Sequence, residues 1–438
     1  MSKFKLIPTP RTWAGAAALL LLAFFAGLNP ASQPSADKWP SQRLAALFAP
    51  TAAAQASASV QTRVYTETPR PQKPPRTTGI FFNKLRTGKT VTVAYLGGTM
   101  TAGVGASDAA KTSYRALVTN WLRQNFKEAQ ISELNAGVAG TGALYGAMRV
   151  RRDVIAYKPD LVFIEFALQE TNDAPETQEG VQKALEGILR QLLIVPQPPE
   201  VVLLYTTNAQ RAARLEWLET IAAHYQLPAV NLQSAIWQQI EARQLKPTTL
   251  WPAALSKDGT VPGDEGHKLY AKLITDFLSQ QAKLESSPIP KVLPSPLVSD
   301  EMNYGEIKAI AEFKHGPAWH KESNQDRTLP SLLLSSDKAN AQVELYFEGS
   351  VLGLSFRVGP DGGMFECLID GKPAPAPLNK IDAYAGTAHI QTRLIPGGLG
   401  MNEHKLTIRV LSEKNPKSSS TAVRLGSLLV GGQRPERL

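Results

Sequence analysis

The residues best placed by type and spacing to do chemistry sit in one short stretch, Gly97-Gly98-Thr99-Met100-Thr101-Ala102-Gly103. A hydroxyl residue at a glycine turn, after an apolar β-branched run and before a helix, can be presented as a nucleophile at the carboxyl end of a parallel strand. An ordinary strand–helix turn has the same local wording. The preceding run, Val91 to Leu96, reads as a buried central strand. A single cysteine, Cys367, excludes an internal disulfide and any cysteine-based metal site, and reads as a small buried hydrophobe. No phosphate loop, dinucleotide fingerprint or metal-ligand cluster stands out, so no cofactor and no metal is expected.

The elements that must position this turn follow from periodicity. Strands over 91–96, 131–135, 160–167, 201–205 and 229–231 alternate with helices over 113–127, 145–157, 177–193, 211–225 and 266–281. Alternation of this kind predicts an α/β fold: a three-layer α/β/α domain on a parallel sheet, over residues 88–283. Right-handed crossovers bring the strand-to-helix loops to one edge, where such sheets bind ligands. A proline-rich stretch, 284–299, reads as a linker. Beyond it the period changes to that of strands over 343–347, 352–358, 364–369, 388–394, 405–410 and 422–430, with a hairpin signal at Asp370-Gly371. This predicts a β-sandwich over 300–438.

Two segments precede the α/β domain. Lys3, Lys5 and Arg11 flank an apolar run from Trp13 to Leu28. That pattern reads as an export signal over 1–28, with an uncleaved membrane tether through residues 13–28 as the alternative. Residues 29–87, rich in Pro, Ala, Ser and Thr, read as a linker with no core of its own. The chain is therefore expected to be exported, to the periplasm or cell envelope. Its composition, 43% hydrophobic and 19% charged, is that of a globular protein. The net charge of +9 is scattered rather than striped with aromatics, which argues against nucleic acid and leaves an anionic surface or polysaccharide as partner. Arg149, Arg151, Arg152 and Asp153 read as a solvated helix face, or alternatively a site for an acidic glycan. Trp251, Trp319, Tyr346 and Phe347 read as core aromatics, with sugar stacking as the other use.

Four segments fall at the same predicted sheet edge: the Thr99 turn, the loop at Gly140, the loop after Ala167, and Lys257-Asp258-Gly259-Thr260-Val261-Pro262-Gly263-Asp264-Glu265-Gly266-His267. Together they resemble the conserved blocks of the SGNH/GDSL hydrolases, esterases and acyl-group hydrolases. The wording Leu406-Thr407-Ile408-Arg409-Val410 through Lys414-Asn415-Pro416-Lys417 to Thr421-Ala422-Val423-Arg424 looks like a sandwich domain that follows the hydrolase domain in some bacterial members. The resemblance implies a serine nucleophile, a histidine base, an aspartate three residues before it, and an oxyanion hole of a glycine N–H and an asparagine. Here Thr99 stands at the serine position and Gly140 at the oxyanion glycine. Either Gln169 or Asn172 stands for the asparagine, Asp258 is the aspartate, and Val261 occupies the histidine position. Threonine keeps the hydroxyl, whereas valine accepts no proton, and loss of a triad member costs several powers of ten in rate.

The candidates for a relocated base are His267, His224, Glu165 and Glu170. His267, at the start of the closing helix, reads first as a packing residue. Two functions follow: a degenerate family member that binds a polysaccharide or acylated glycan with little or no catalysis, or an active esterase or O-acyltransferase using Thr99 and a relocated base.

Overall fold

The computed structural model describes residues 75–168, 177–256, 259–290, 292–325, 330–395 and 397–433. In chain order the first part comprises α1 (Gly79–Arg86), β1 (Val91–Gly97), α2 (Thr99–Ala102), α3 (Tyr114–Asn125), β2 (Ile131–Gly137), α4 (Ala143–Asp153) and β3 (Leu161–Glu165). It continues with α5 (Gln178–Leu193), β4 (Glu200–Leu204), α6 (Leu215–His224), β5 (Ala229–Val230), α7 (Leu232–Glu241), α8 (Pro247–Leu250) and α9 (Asp264–Gln281). The five strands form a parallel sheet of order β2-β1-β3-β4-β5. The strand order reverses at β1, so right-handed crossovers put α3 on one face and α4, α5 and α6 on the other. α9 packs on α3, and α4 on α5 on α6, completing the three layers. β1, β3 and β4 are buried on both faces, as their continuous apolar runs require.

The second part is a β-sandwich. Its strands are β6 (Tyr304–Ala309), β7 (His320–Ser323), β8 (Leu332–Ser336), β9 (Gln342–Glu348), β10 (Val351–Val358), β11 (Met364–Ile369), β12 (Lys372–Pro373), β13 (Lys380–Asp382), β14 (His389–Ile395), β15 (Glu403–Val410) and β16 (Val423–Gly432). One antiparallel sheet runs β14-β10-β16-β8-β7, with β6 also on β16, and the other runs β12-β11-β15-β9, with β13 on β11. β6, β7 and β8 were not foreseen. β6 and β7 lie mostly half-buried or exposed, so they lack the clean alternation that marks β9. Cys367 is buried between the sheets, and burial pushes its thiol up to about 12.

Two expected linkers are structured where described. The stretch 79–86, assigned from composition to the linker 29–87, is helix α1 with Phe81, Phe82 and Leu85 buried. Its first amides, Ile80 N–H and Phe81 N–H, donate to Glu200 at 3.1 and 2.7 Å, and Lys84 pairs with Asp160 at 2.5 Å. Burial pushes the Glu200 carboxyl up to about 7, against the pull of these donors. Residues 284–299 are fastened as well. Glu186 of α5 accepts from Leu297, Val298 and Ser299 N–H at 2.6, 2.8 and 2.9 Å and from the Tyr225 hydroxyl at 2.6 Å. Burial raises that carboxyl, but the four donors outweigh it and hold it below the ordinary range. Residues 1–74, with the expected export signal and most of the first linker, lie outside the described residues.

The sandwich docks on α4. A Cβ on Gly305 would fall 2.4 Å from Ala147 O, and one on Gly431 2.9 Å from Met148 Cε. Val351 and Leu429 join the apolar core of the α/β part, with Ile307 and Leu394 packed against it. α4 therefore has a double contact: its N-terminal end follows the Gly140 loop and its middle carries the sandwich.

Candidate functional site

β1 and β2 end on the same rung, Gly97 opposite Gly137. The helix α2 lies directly on this glycine pair. A Cβ on Gly97 would fall 2.1 Å from Thr101 Oγ1 and one on Gly137 2.2 Å from Ala102 N. Thr99 opens α2 and is half-buried. Gly140, exposed and left-handed at φ +71°, donates its N–H to Thr99 Oγ1 at 2.9 Å. The fold thus brings together two residues that lie forty-one positions apart. A hydroxyl with a backbone donor beside it can bind a carbonyl oxygen. For acyl transfer it also needs a group that takes the hydroxyl proton.

On the other flank, Val261 packs against the loop that follows α2: a Cβ on Gly105 would fall 2.5 Å from Val261 Cγ1. The position is half-buried and aliphatic. His267 does not replace it. Its Nδ1 accepts from Tyr114 N–H at 3.3 Å and its Nε2 donates to Val104 O at 3.1 Å, so both ring nitrogens are engaged. The ring is fully buried, and desolvation lowers its pKa. His224 is directed to the strap formed by residues 284–299, with Nε2 on Ser295 O at 2.9 Å. Glu165, at the end of β3, is buried beneath α2 and accepts from Thr101 Oγ1 at 2.9 Å and Thr206 Oγ1 at 2.8 Å. Asp264, in the first turn of α9, binds Ser107 N–H and Thr112 Oγ1, both at 2.8 Å. The Ser107 backbone and side-chain donors and the Thr112 hydroxyl bring its carboxyl down to about 2. Gln169, Glu170, Asn172 and Asp258 lie outside the described residues.

Two expectations are corrected, those for Arg149 and Tyr346, and the other aromatics are core as expected. Arg149 is not on a solvated face; it is completely buried and donates to Ala136 O at 2.6 Å and Gly97 O at 2.9 Å. Arg151 lies over the Tyr304 ring at 5.3 Å, and Arg152 pairs with Asp153 at 2.6 Å. Trp251, at 2% exposure, is core and offers no sugar platform. Trp319 and Phe347 are likewise buried, while Tyr346 is exposed on the outer face of β9. Among the described residues no group of His, Cys, Asp or Glu side chains could hold a metal ion. The buried roles of Arg149 and Glu165 were missed. The signal for Arg149 was the stripe Tyr145, Arg149, Asp153 at helical spacing, beside the apolar Ala143, Ala147, Val150 and Val154.

A parallel sheet of this order, with a hydroxyl and a backbone donor at the carboxyl ends of β1 and β2, followed by a sandwich, is the layout of an SGNH-type hydrolase with a C-terminal domain. The sequence agrees: residues 95–269 match the model of the GDSL-like Lipase/Acylhydrolase family. Two solved structures are similar over most of the chain. A two-domain esterase active on acetylated mannans, co-crystallised with mannopentaose, superimposes with a TM-score of 0.71 at 22% identity, over 83% of this chain and 97% of its own. A second structure of a two-domain esterase active on acetylated mannans gives 0.69 at 23%, over 82% and 95%. At these identities the likeness is one of fold, and it extends through both domains. No curated protein matches the chain.

Proposed function

We propose that this protein is a degenerate SGNH/GDSL hydrolase of the cell envelope that binds an acetylated polysaccharide at the Thr99 edge, with little or no turnover. The observation that carries this reading is the occupation of the base position by Val261, together with the commitment of both His267 nitrogens to structural bonds. Thr99 and Gly140 keep a hydroxyl and an N–H donor suited to an ester carbonyl, so recognition survives where proton transfer does not. The acetylated-mannan esterases of the same two-domain fold support a glycan as the ligand class. Export to the envelope rests on residues 1–28.

A second reading, an active esterase or O-acyltransferase with Thr99 as nucleophile, is favoured by the preserved Thr99–Gly140 pair. Purified full chain assayed on p-nitrophenyl acetate and on acetylated mannan separates the two. The first reading expects binding in affinity electrophoresis that weakens on chemical deacetylation, and no release of acetate above background. Acetate release that Thr99→Ala abolishes overturns it in favour of the second.

A further inference from the structure

Arg149 is an expensive residue for its place. Its side chain is fully buried, and among the described residues its one ionised partner, Asp153, lies 3.2 Å from Nη1. Its Nε has no hydrogen-bond partner among the described residues. Removing a cation from water costs several kcal/mol, and a well-packed apolar side chain fills such a site at lower cost. Packing alone therefore does not account for an arginine here. What an apolar side chain cannot do is bond carbonyls, and Arg149 bonds two on different strands: Nη2 donates to Gly97 O at 2.9 Å and Nη1 to Ala136 O at 2.6 Å.

Those two carbonyls sit where the sheet stops. The β1–β2 ladder ends at Gly97 opposite Gly137, and the β1–β3 ladder at Gly97 opposite Glu165. Thr99 hangs from the end of one strand and Gly140 from the end of the other. Beyond the last rung, one backbone bond joins the two ends, Val138 N–H to Gly97 O at 3.1 Å. The guanidinium adds one bond to each end. Its planar fork holds two donors at a fixed separation, so it sets the spacing of two acceptors rather than merely attracting them.

We propose that Arg149 is a positioning residue that sets the Thr99–Gly140 pair by clasping the ends of β1 and β2 from below. The inference concerns the geometry of the pair, and it stands or falls separately from whether the site binds a glycan or turns one over.

The test reads the Gly140 amide directly. Full chain carrying nitrogen-15 glycine is examined by TROSY spectroscopy, with Gly140 assigned by its loss in Gly140→Ala. Thr99→Val removes the acceptor and shifts the Gly140 signal. In Arg149→Lys, which keeps the charge but donates from a single atom, Gly140 is expected to lie close to its Thr99→Val position. Adding Thr99→Val is then expected to move it little further. Arg149→Met removes the charge as well and should give the same result; if it does not fold, Arg149→Lys carries the test. Dispersion of the other glycine signals reports folding. A folded Arg149 variant that melts lower yet keeps the full Gly140 response to Thr99→Val makes Arg149 a purely structural residue and overturns the proposal.

Discussion

The two flanks of the candidate site are held by different means. Thr99 and Gly140 extend from paired strands, with α2 pressed onto Gly97 and Gly137 and with Arg149 beneath. Val261 belongs to a loop, and its side chain rests on Gly105. On the first flank the backbone path is required by the fold whatever chemistry follows. On the second, the half-buried position 261 lies outside every ladder and helix, so the fold does not dictate the side chain there. His267 sharpens the contrast: it is a histidine of the same flank whose bonds to Tyr114 and Val104 tie α9 to α3 and to the loop after α2.

The contrast is most strongly tested by restoring the second flank. If only the base and the unhindered nucleophile are missing, Thr99→Ser with Val261→His should raise p-nitrophenyl acetate hydrolysis by on the order of 10²-fold or more. A folded double variant with no gain shows that the first flank has lost its geometry too. Next in size is the glycine pair. Gly137→Ala places a methyl 2.2 Å from Ala102 N and should cost about 3 kcal/mol or more in urea denaturation. Gly140→Ala, with open space around it but a left-handed backbone, should cost about 1 kcal/mol. Equal costs at the two positions would remove the distinction between fold-bound and site-bound residues.

His267→Leu should cost about 2 kcal/mol, because it leaves the Tyr114 N–H buried without its acceptor. It should leave glycan affinity unchanged. Its pH signature is specific. Burial lowers the imidazole pKa in the folded state, so the unfolded chain binds the proton more readily. The contribution of His267 is therefore present in full above the unfolded value of 6.5 and is lost as pH falls from there through the folded pKa. Thermal melts of wild type and His267→Leu should converge on acidification across that window. Loss of an existing esterase activity at unchanged stability would instead make His267 a base. Smallest of all, Thr99→Val should change stability by about 1 kcal/mol, since the Gly140 amide that loses its acceptor is exposed and can bond water instead.

Much of this was legible in the chain. Val91–Leu96 and the glycines after it announced the mount, because a doubly buried parallel strand reads as a continuous apolar run and a sharp turn needs glycine. The strand β9, with its strict alternation, was equally plain. α1 was hidden by its proline-rich approach. Glu186, which fastens Leu297 to Ser299, looks like any helix-surface glutamate until the strap is seen to lie on it.

By itself, then, the sequence determined the alternation of strands and helices in the first part, the change to strands in the second, and the residue types at the expected reactive positions: Thr99, Gly140 and Val261. Residue identity decides whether a side chain can accept a proton, and no fold changes that. Only the tertiary structure decided that Gly140 reaches Thr99, that Arg149 is buried against Gly97 O and Ala136 O, and that His267 is already occupied. Those facts depend on contacts between segments distant in sequence, and local pattern does not carry distances between them.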